Sequence, residues 1–195
     1  NLTSANHSMN AALSGDGLTL AVSDPLSSSL LNISESGLVS VYHWNESSEA
    51  WEEDVQLMGS KPRVRFGAGL VLSHDGSTLG VSSGGLSNDA FNVRVYHWNG
   101  SSVKEEVIPG TRESPAGGPA IMALSSSGSR LVMGTPSLHG LQTSALQTFS
   151  SELTRGWVQD AFLRDDGPFW SISVSANGQR VVGTTPGREN KACQI

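Results

Sequence analysis

Leu72-Ser73-His74-Asp75-Gly76-Ser77-Thr78-Leu79-Gly80-Val81 is the stretch whose reading decides the fold. At its centre, Asp75-Gly76 is a tight-turn dipeptide, because glycine accepts at little cost the positive φ such a turn imposes. Short apolar runs of strand type flank it, Gly69-Leu70-Val71-Leu72 before and Leu79-Gly80-Val81 after. Three further stretches align with it without gaps. They run from Leu13-Ser14-Gly15-Asp16-Gly17 to Val22, from Leu124-Ser125-Ser126-Ser127-Gly128 to Met133, and from Val174-Ser175-Ala176-Asn177-Gly178 to Gly183. The shared glycines, Gly17, Gly76, Gly128 and Gly178, lie 59, 52 and 50 residues apart. A period of that length marks a repeat architecture.

A second element repeats downstream of the hairpin. Val39-Ser40-Val41-Tyr42-His43-Trp44-Asn45 matches Val93-Arg94-Val95-Tyr96-His97-Trp98-Asn99, and Ala145 to Phe149 is a degraded third copy. The alternation is that of a strand with one buried face. A fourth strand follows at Trp51 to Leu57, Val103 to Ile108 and Trp157 to Leu163. Units of four antiparallel strands at this period describe blades of a β-propeller, so the chain reads as all-β. The competing reading is a β-sandwich with coincidental repeats. A linear β-solenoid fits less well, because its coils are shorter. The units run approximately over 9–62, 63–116, 117–166 and an incomplete 167–195. The fourth is expected to stop after its second strand, which gives about three and a half blades in a single propeller segment. An open sheet edge in water invites aggregation. The expectation is therefore a part of a larger ring, completed by further sequence or by another chain.

Composition removes several function classes. The net charge is −6 and the 12 basic residues are scattered, which excludes a phosphate-binding nucleic-acid surface. No apolar run approaches the length of a transmembrane helix. Cys193 is the single cysteine, so no disulfide closes within the chain and its pairing state stays open. Asn1, Asn6, Asn32, Asn45 and Asn99 each begin an Asn-x-Ser/Thr sequon. Asn45 and Asn99 fall at equivalent places just after a strand. The set leads to the expectation of a secreted, extracellular or lumenal glycoprotein, its sequence opening at Asn1 as a processed or partial precursor.

These motifs resemble known propeller families. The hairpin 72–81 looks like the Ser-x-Asp-Gly hairpin of WD-repeat and TolB-like propellers. Phe66-Gly67-Ala68-Gly69 resembles the start of the FG-GAP repeat of integrin α-chains, and Gly37-Leu38-Val39-Ser40-Val41-Tyr42 is similar to a strand of the same repeats. FG-GAP units often carry a calcium loop, but the stretches around Asp16 and Asp75 each offer one carboxylate, whereas calcium takes six to eight oxygens. The calcium feature is not carried over, and Asp16 and Asp75 read as turn formers.

No catalytic constellation stands out. His43 and His97 lie in equivalent strands of different units and are not expected to converge, while His7, His74 and His139 are isolated. No zinc motif and no Gly-x-Ser-x-Gly nucleophile turn is present. Asp165-Asp166 precedes Gly167-Pro168 and reads as a turn between units. Adjacent carboxylates do not set the separation a glycosidase needs. Glu52-Glu53-Asp54 and Glu105-Glu106 read as solvent-facing charges that guard an outer strand. Trp44, Trp51, Trp98 and Trp157 read as packing between the third and fourth strands. Trp170 departs from the repeat, following Phe169 where other units place Ala68, Ala120 or a small residue near Ala11. It is the candidate partner contact. With no catalytic, cofactor or metal residue to name, the expected function is a non-enzymatic interaction or scaffolding module. Its partners would be other protein chains or the missing blades, and glycans in a carbohydrate-binding alternative. A propeller hydrolase with an unidentified site is the second alternative.

Overall fold

The computed structural model describes residues 9–28, 33–84, 93–98, 103–108, 121–134, 144–165, 169–184 and 191–194, with the backbone alone for 144, 164, 165 and 191–194. Each repeat turn closes in the same way. In the second, Ser73 N donates to Thr78 O (2.9 Å) and Gly76 N to Ser73 O (3.1 Å). Thr78 N in turn donates to Ser73 Oγ (3.0 Å). The serine two places before the glycine-preceding residue thus caps both strands of its hairpin, and Ser14, Ser125 and Ser175 do the same. Gly17, Gly76, Gly128 and Gly178 all have φ between 65° and 75°, the left-handed region that explains the glycine.

These hairpins found four antiparallel sheets. The first has order β1 (Asn10–Leu13), β2 (Thr19–Asp24), β3 (Leu38–Asn45), β4 (Ala50–Met58). The second has β5 (Phe66–Leu72), β6 (Thr78–Ser83), β7 (Val93–Trp98), β8 (Val103–Val107). The third has β9 (Ile121–Leu124), β10 (Arg130–Gly134), β11 (Ser144–Glu152), β12 (Gly156–Asp165). The last joins β13 (Ser171–Val174), β14 (Arg180–Thr184) and β15 (Lys191–Gln194). β15 goes beyond the expectation from sequence, which ended this unit at its second strand. It pairs Cys193 with Val181, and its four residues lack the alternation that makes a strand legible.

The cores lie between consecutive sheets. Along β6, Leu79 and Val81 face the first sheet and pack with Ala21, Val39, Val41 and Phe66. Along β10, Leu131 and Met133 face back toward Val93 and Val95, whereas Val132 between them faces forward to Phe169, Ile172 and Val181. The period of two therefore serves two neighbours at once, which is why these second strands are apolar throughout. The innermost strands β1, β5, β9 and β13 lie side by side. Sheets stacked face to face around adjoining inner strands are propeller blades. The chain is all-β with the β-propeller fold.

Backbone bonds between turns set the registration of one blade on the next. Gly15 N donates to His74 O (2.8 Å), His74 N to Ser126 O (3.1 Å) and Ser126 N to Ala176 O (3.0 Å). The turn glycine makes this approach possible. A Cβ on Gly76 would lie 2.3 Å from Thr19 Oγ1, and one on Gly128 2.4 Å from Thr78 Oγ1.

Candidate functional site

The hairpin turns occupy one rim of the molecule, and the links between blades occupy the other. On that second rim the link 59–65 lies against the loop 33–37. Arg63 N donates to Ser34 O (2.9 Å), Arg65 N to Glu35 O (3.1 Å) and Phe66 N to Ser36 O (3.0 Å). Two glycines permit the contact. A Cβ on Gly59 would sit 1.9 Å from Ser36 O, and one on Gly37 2.1 Å from Phe66 O.

Glu35, Arg63 and Arg65 have φ of 49°, 58° and 52°, left-handed values on side chains that normally avoid them. Each costs about 1–2 kcal/mol, and such strain concentrates at functional sites. The fourth case, Glu49, lies in the β3–β4 turn on the other rim. Here the strain sets the side chains. Val64 is buried between the two arginines, Arg63 is exposed, and Arg65 reaches back to Glu35. Both Nε (3.0 Å) and Nη2 (2.8 Å) of Arg65 donate to Glu35 Oε2. Both side chains are about a third exposed, and Oε1 of Glu35 receives no bond from Arg65. Ser36 next to it is fully buried, and its Oγ has no hydrogen-bond partner among the described residues. Lys61 and Arg63 stand on the same exposed link, so three cations fall within five residues.

The chain below is held rigidly. β5 opens with a bulge between Phe66 and Gly69. Gly67 O, turned out by the bulge, accepts from Ser23 Oγ (2.7 Å) and from Asn10 Nδ2 (3.2 Å) of the first sheet. Phe66 is buried edge-on to Tyr96, with ring centroids 6.2 Å apart. A carboxylate and flanking arginines on so fixed a base can bind an anion and take a proton. Sequence reasoning missed Glu35, Ser36, Arg63 and Arg65. The Lys61-Pro62-Arg63-Val64-Arg65 run was the available signal, but nothing in it announces positive φ or the distant Glu35.

The residues singled out from sequence fall elsewhere. His43 Nδ1 bonds Asp54 Oδ1 (2.7 Å) on an exposed outer surface, with Glu52 at 3.6 Å. His97 bonds Thr78 Oγ1 (3.1 Å) and stacks on Trp157, with centroids 6.1 Å apart. Burial depresses the His97 pKa, while Glu106 opposes and Lys104 adds to the fall. Among the described residues no cluster of His, Cys, Asp and Glu could hold a metal. Asp16 and Asp75 are turn formers in the structure too. Trp44 and Trp51 meet edge to face at 5.5 Å. Trp170 is 70% exposed at the start of β13, whereas Phe169 fills the interior against Gly134 and Gly183. Asn45 Nδ2 donates to Glu52 Oε1 (2.7 Å), and its Oδ1 accepts from Ser47 N (2.8 Å). The amide keeps a second hydrogen position at which a glycan could be attached. Asn1, Asn6, Asn32 and Asn99 lie outside the described residues, as do His7, His139, Asp166 and the side chains of Asp165 and Cys193.

Neither a protein-family model nor a curated protein matches the chain. Solved structures do. A structure from Bacteroides uniformis described as a "putative 6-phosphogluconolactonase" is 12% identical, with a TM-score of 0.61 over 94% of this chain and 49% of that one. One from Bacteroides fragilis with the same description is 14% identical, with a TM-score of 0.55 over 92% and 47%. The likeness shows the fold. This chain spans about half the length of each. The expectation of a non-enzymatic scaffolding module is corrected by this finding, because the similar structures bear the names of enzymes. The physical reason for the error is that a propeller assembles its sites from loops on different blades. No contiguous motif betrays them.

Proposed function

We propose that the chain belongs to a propeller hydrolase that opens an anionic sugar lactone at the 33–37 and 59–65 rim. The observation that carries this reading is the strained Glu35–Arg65 pair with Arg63 exposed beside it. The names of the similar structures supply the substrate class. Arg63 and Lys61 draw the phosphate or carboxylate of the substrate to the rim. Arg65 fixes Glu35 through Oε2 and leaves Oε1 for catalysis. Glu35 takes a proton from water as its oxygen bonds the lactone carbonyl carbon. The acyl–oxygen bond then breaks, and the ring oxygen recovers that proton as its hydroxyl. The product is the open hydroxy acid, and no cofactor enters the balance. Exposed Trp170, at the inner-strand end of the same rim, offers a face on which a sugar ring stacks.

The test is hydrolysis of a phosphorylated sugar lactone followed by base uptake at constant pH. Glu35→Gln lowers kcat by about a hundredfold or more with unchanged circular dichroism. Arg63→Ala raises KM by about tenfold and spares kcat. Full activity in the Glu35→Gln variant sinks the assignment.

In this reading Phe66-Gly67, which resembles an FG-GAP start, serves as the bulge that anchors Arg65. Exposure to the secretory pathway remains a proposal that rests on the five sequons. Protein expressed in a glycosylating host should lose mass on treatment with a peptide N-glycosidase, and an unchanged mass counts against it.

A further inference from the structure

β5 departs from the repeat at the place where it meets the candidate site. β1, β9 and β13 pair with their second strands residue for residue. β5 instead shifts its register, pairing Phe66 with Ser83 and then Gly69 with Ser82. Gly67 and Ala68 are extra residues that the other inner strands do without, and Gly67 is left-handed with φ of 89°. Bulges bend a strand and re-aim the side chains beside it, and they gather next to active sites. Here the side chain at the entry to the bulged strand is Arg65.

Two carbonyls of the bulge are taken up by side chains of the first sheet. Gly67 O accepts from Ser23 Oγ (2.7 Å) and Asn10 Nδ2 (3.2 Å), and Ala68 O accepts from the same Asn10 nitrogen (3.2 Å). Ser23 is 1% exposed, so water does not compete for its bond. Gly67 permits the approach, because a Cβ there would lie 2.7 Å from Ser23 Cβ and 2.9 Å from Val39 Cγ2. The bulge is tied back to the arginine in turn. Ala68 N (3.2 Å) and Gly84 N (3.3 Å) both donate to Arg65 O, while Arg65 N donates to Glu35 O (3.1 Å). The left-handed backbone of Arg65 is thus held on one side by the Glu35 loop and on the other by the bulge. The equivalents of Ser23 in the later blades are Ser82, Gly134 and Thr184, so the repeat itself does not call for this serine.

We propose that Ser23 and Asn10 are positioning residues of the rim site. By holding the bulge through Gly67 O, they keep Arg65 in the strained conformation from which Nε and Nη2 both reach Glu35. The proposal rests on the reading of Glu35 as the catalytic carboxylate. Without the clamp the Arg65 backbone relaxes, the guanidinium leaves Oε2, and Glu35 loses the group that orients it. Ser23 is sealed from solvent and meets no substrate, so its effect falls on kcat and not on KM.

The test is the Nε–Hε resonance of Arg65 in the isotope-labelled 195-residue chain, identified by its loss in Arg65→Lys. In the parent chain this hydrogen exchanges slowly, because it is bonded to Glu35 Oε2. Ser23→Ala should move the resonance toward that of free arginine and speed its exchange by about tenfold. It should also lower kcat for the phosphorylated lactone by about tenfold, with KM changed by less than about twofold. Asn10→Ala should act in the same direction by less, since Ser23 still holds Gly67 O. Ser40→Ala removes a buried hydroxyl from the same sheet, but not one that Gly67 O uses, and should leave the resonance in place. An unmoved resonance in folded Ser23→Ala overturns the proposal. If that variant does not fold, an unmoved resonance in Asn10→Ala overturns it instead. An equal shift in Ser40→Ala does so too, because the effect would then be general loosening of the sheet. A parent chain that leaves the lactone intact sinks the catalytic reading alone, and the resonance still decides the clamp.

Discussion

Asp75 accepts three hydrogen bonds within its own turn, from Ser73 Oγ (2.7 Å), Ser77 N (3.0 Å) and Ser77 Oγ (2.8 Å). Burial opposes its charge, but these donors outweigh burial and hold its pKa below the usual value. Asp16 is likewise lowered, chiefly by Ser14 Oγ at 2.5 Å. A carboxylate whose folded pKa is depressed stabilises above its unfolded value, about 3.9, and loses that contribution as pH falls through the folded one. Asp75→Ala should cost about 1–2 kcal/mol at neutral pH in urea unfolding. The third turn has Ser127 at this place, bonded among the described residues only to Ser129 Oγ (2.8 Å). Ser127→Asp should stabilise by about 0.5–1 kcal/mol, because the new carboxylate meets the donors that Asp75 meets. His97 works in the opposite range of pH. Its folded pKa is lowered, so the unfolded chain binds its proton more tightly. The stability it contributes is complete above about 6.5 and declines as pH falls from there through the folded value. The melting temperature should therefore drop between about pH 8 and about pH 5, and His97→Gln should flatten part of that drop.

At the scale of the element, β5 does the most to place the candidate site. Its first residue, Phe66, is 1% exposed and packs on Tyr96, with the Arg94 guanidinium 5.9 Å from its ring centre. Tyr96 is buried deeply enough that its hydroxyl pKa is pushed up to about 12, with Glu105 adding to the rise. Phe66→Ala leaves a cavity beneath the bulge and should cost about 3–5 kcal/mol in thermal or urea unfolding. The same change should release Arg65 from Glu35. Loss of activity beyond the loss of folded protein would register that coupling. The third strands show how repeat and variation divide their work. Val93 and Val95 keep the buried alternation of Val39 and Val41, whereas His43 and His97 keep their place and acquire different partners.

Across the whole molecule, the blades cohere through three apolar clusters and one continuous series of turn-to-turn bonds. The turn-to-turn bonds join residues 50 to 59 positions apart and the Glu35–Arg65 pair spans 30, so the blades are held to one another by non-local contacts. The refolding of such β-structures is slow, in the range of milliseconds to seconds.

The blades themselves are legible in the sequence, because the period-2 alternation of β3 and β7 and the turn dipeptides Asp16-Gly17, Asp75-Gly76 and Asn177-Gly178 are local signals. A strand buried on both faces, such as β10, is also legible in its unbroken Leu131-Val132-Met133. The glycines are only half explained that way. Their positive φ belongs to the turn, whereas their fit against Thr19, Thr78 and Arg130 exists only once the neighbouring blade is in place. The candidate site is hidden for the same reason. Glu35 and Arg65 are 30 residues apart and become a pair because the β2–β3 loop and the link between the first two blades press together at Gly37 and Gly59. Local sequence determined which segments become strands and turns, since those choices rest on backbone preference and alternation. Tertiary packing decided which side chains meet at the rim, since that depends on how one blade settles on the next.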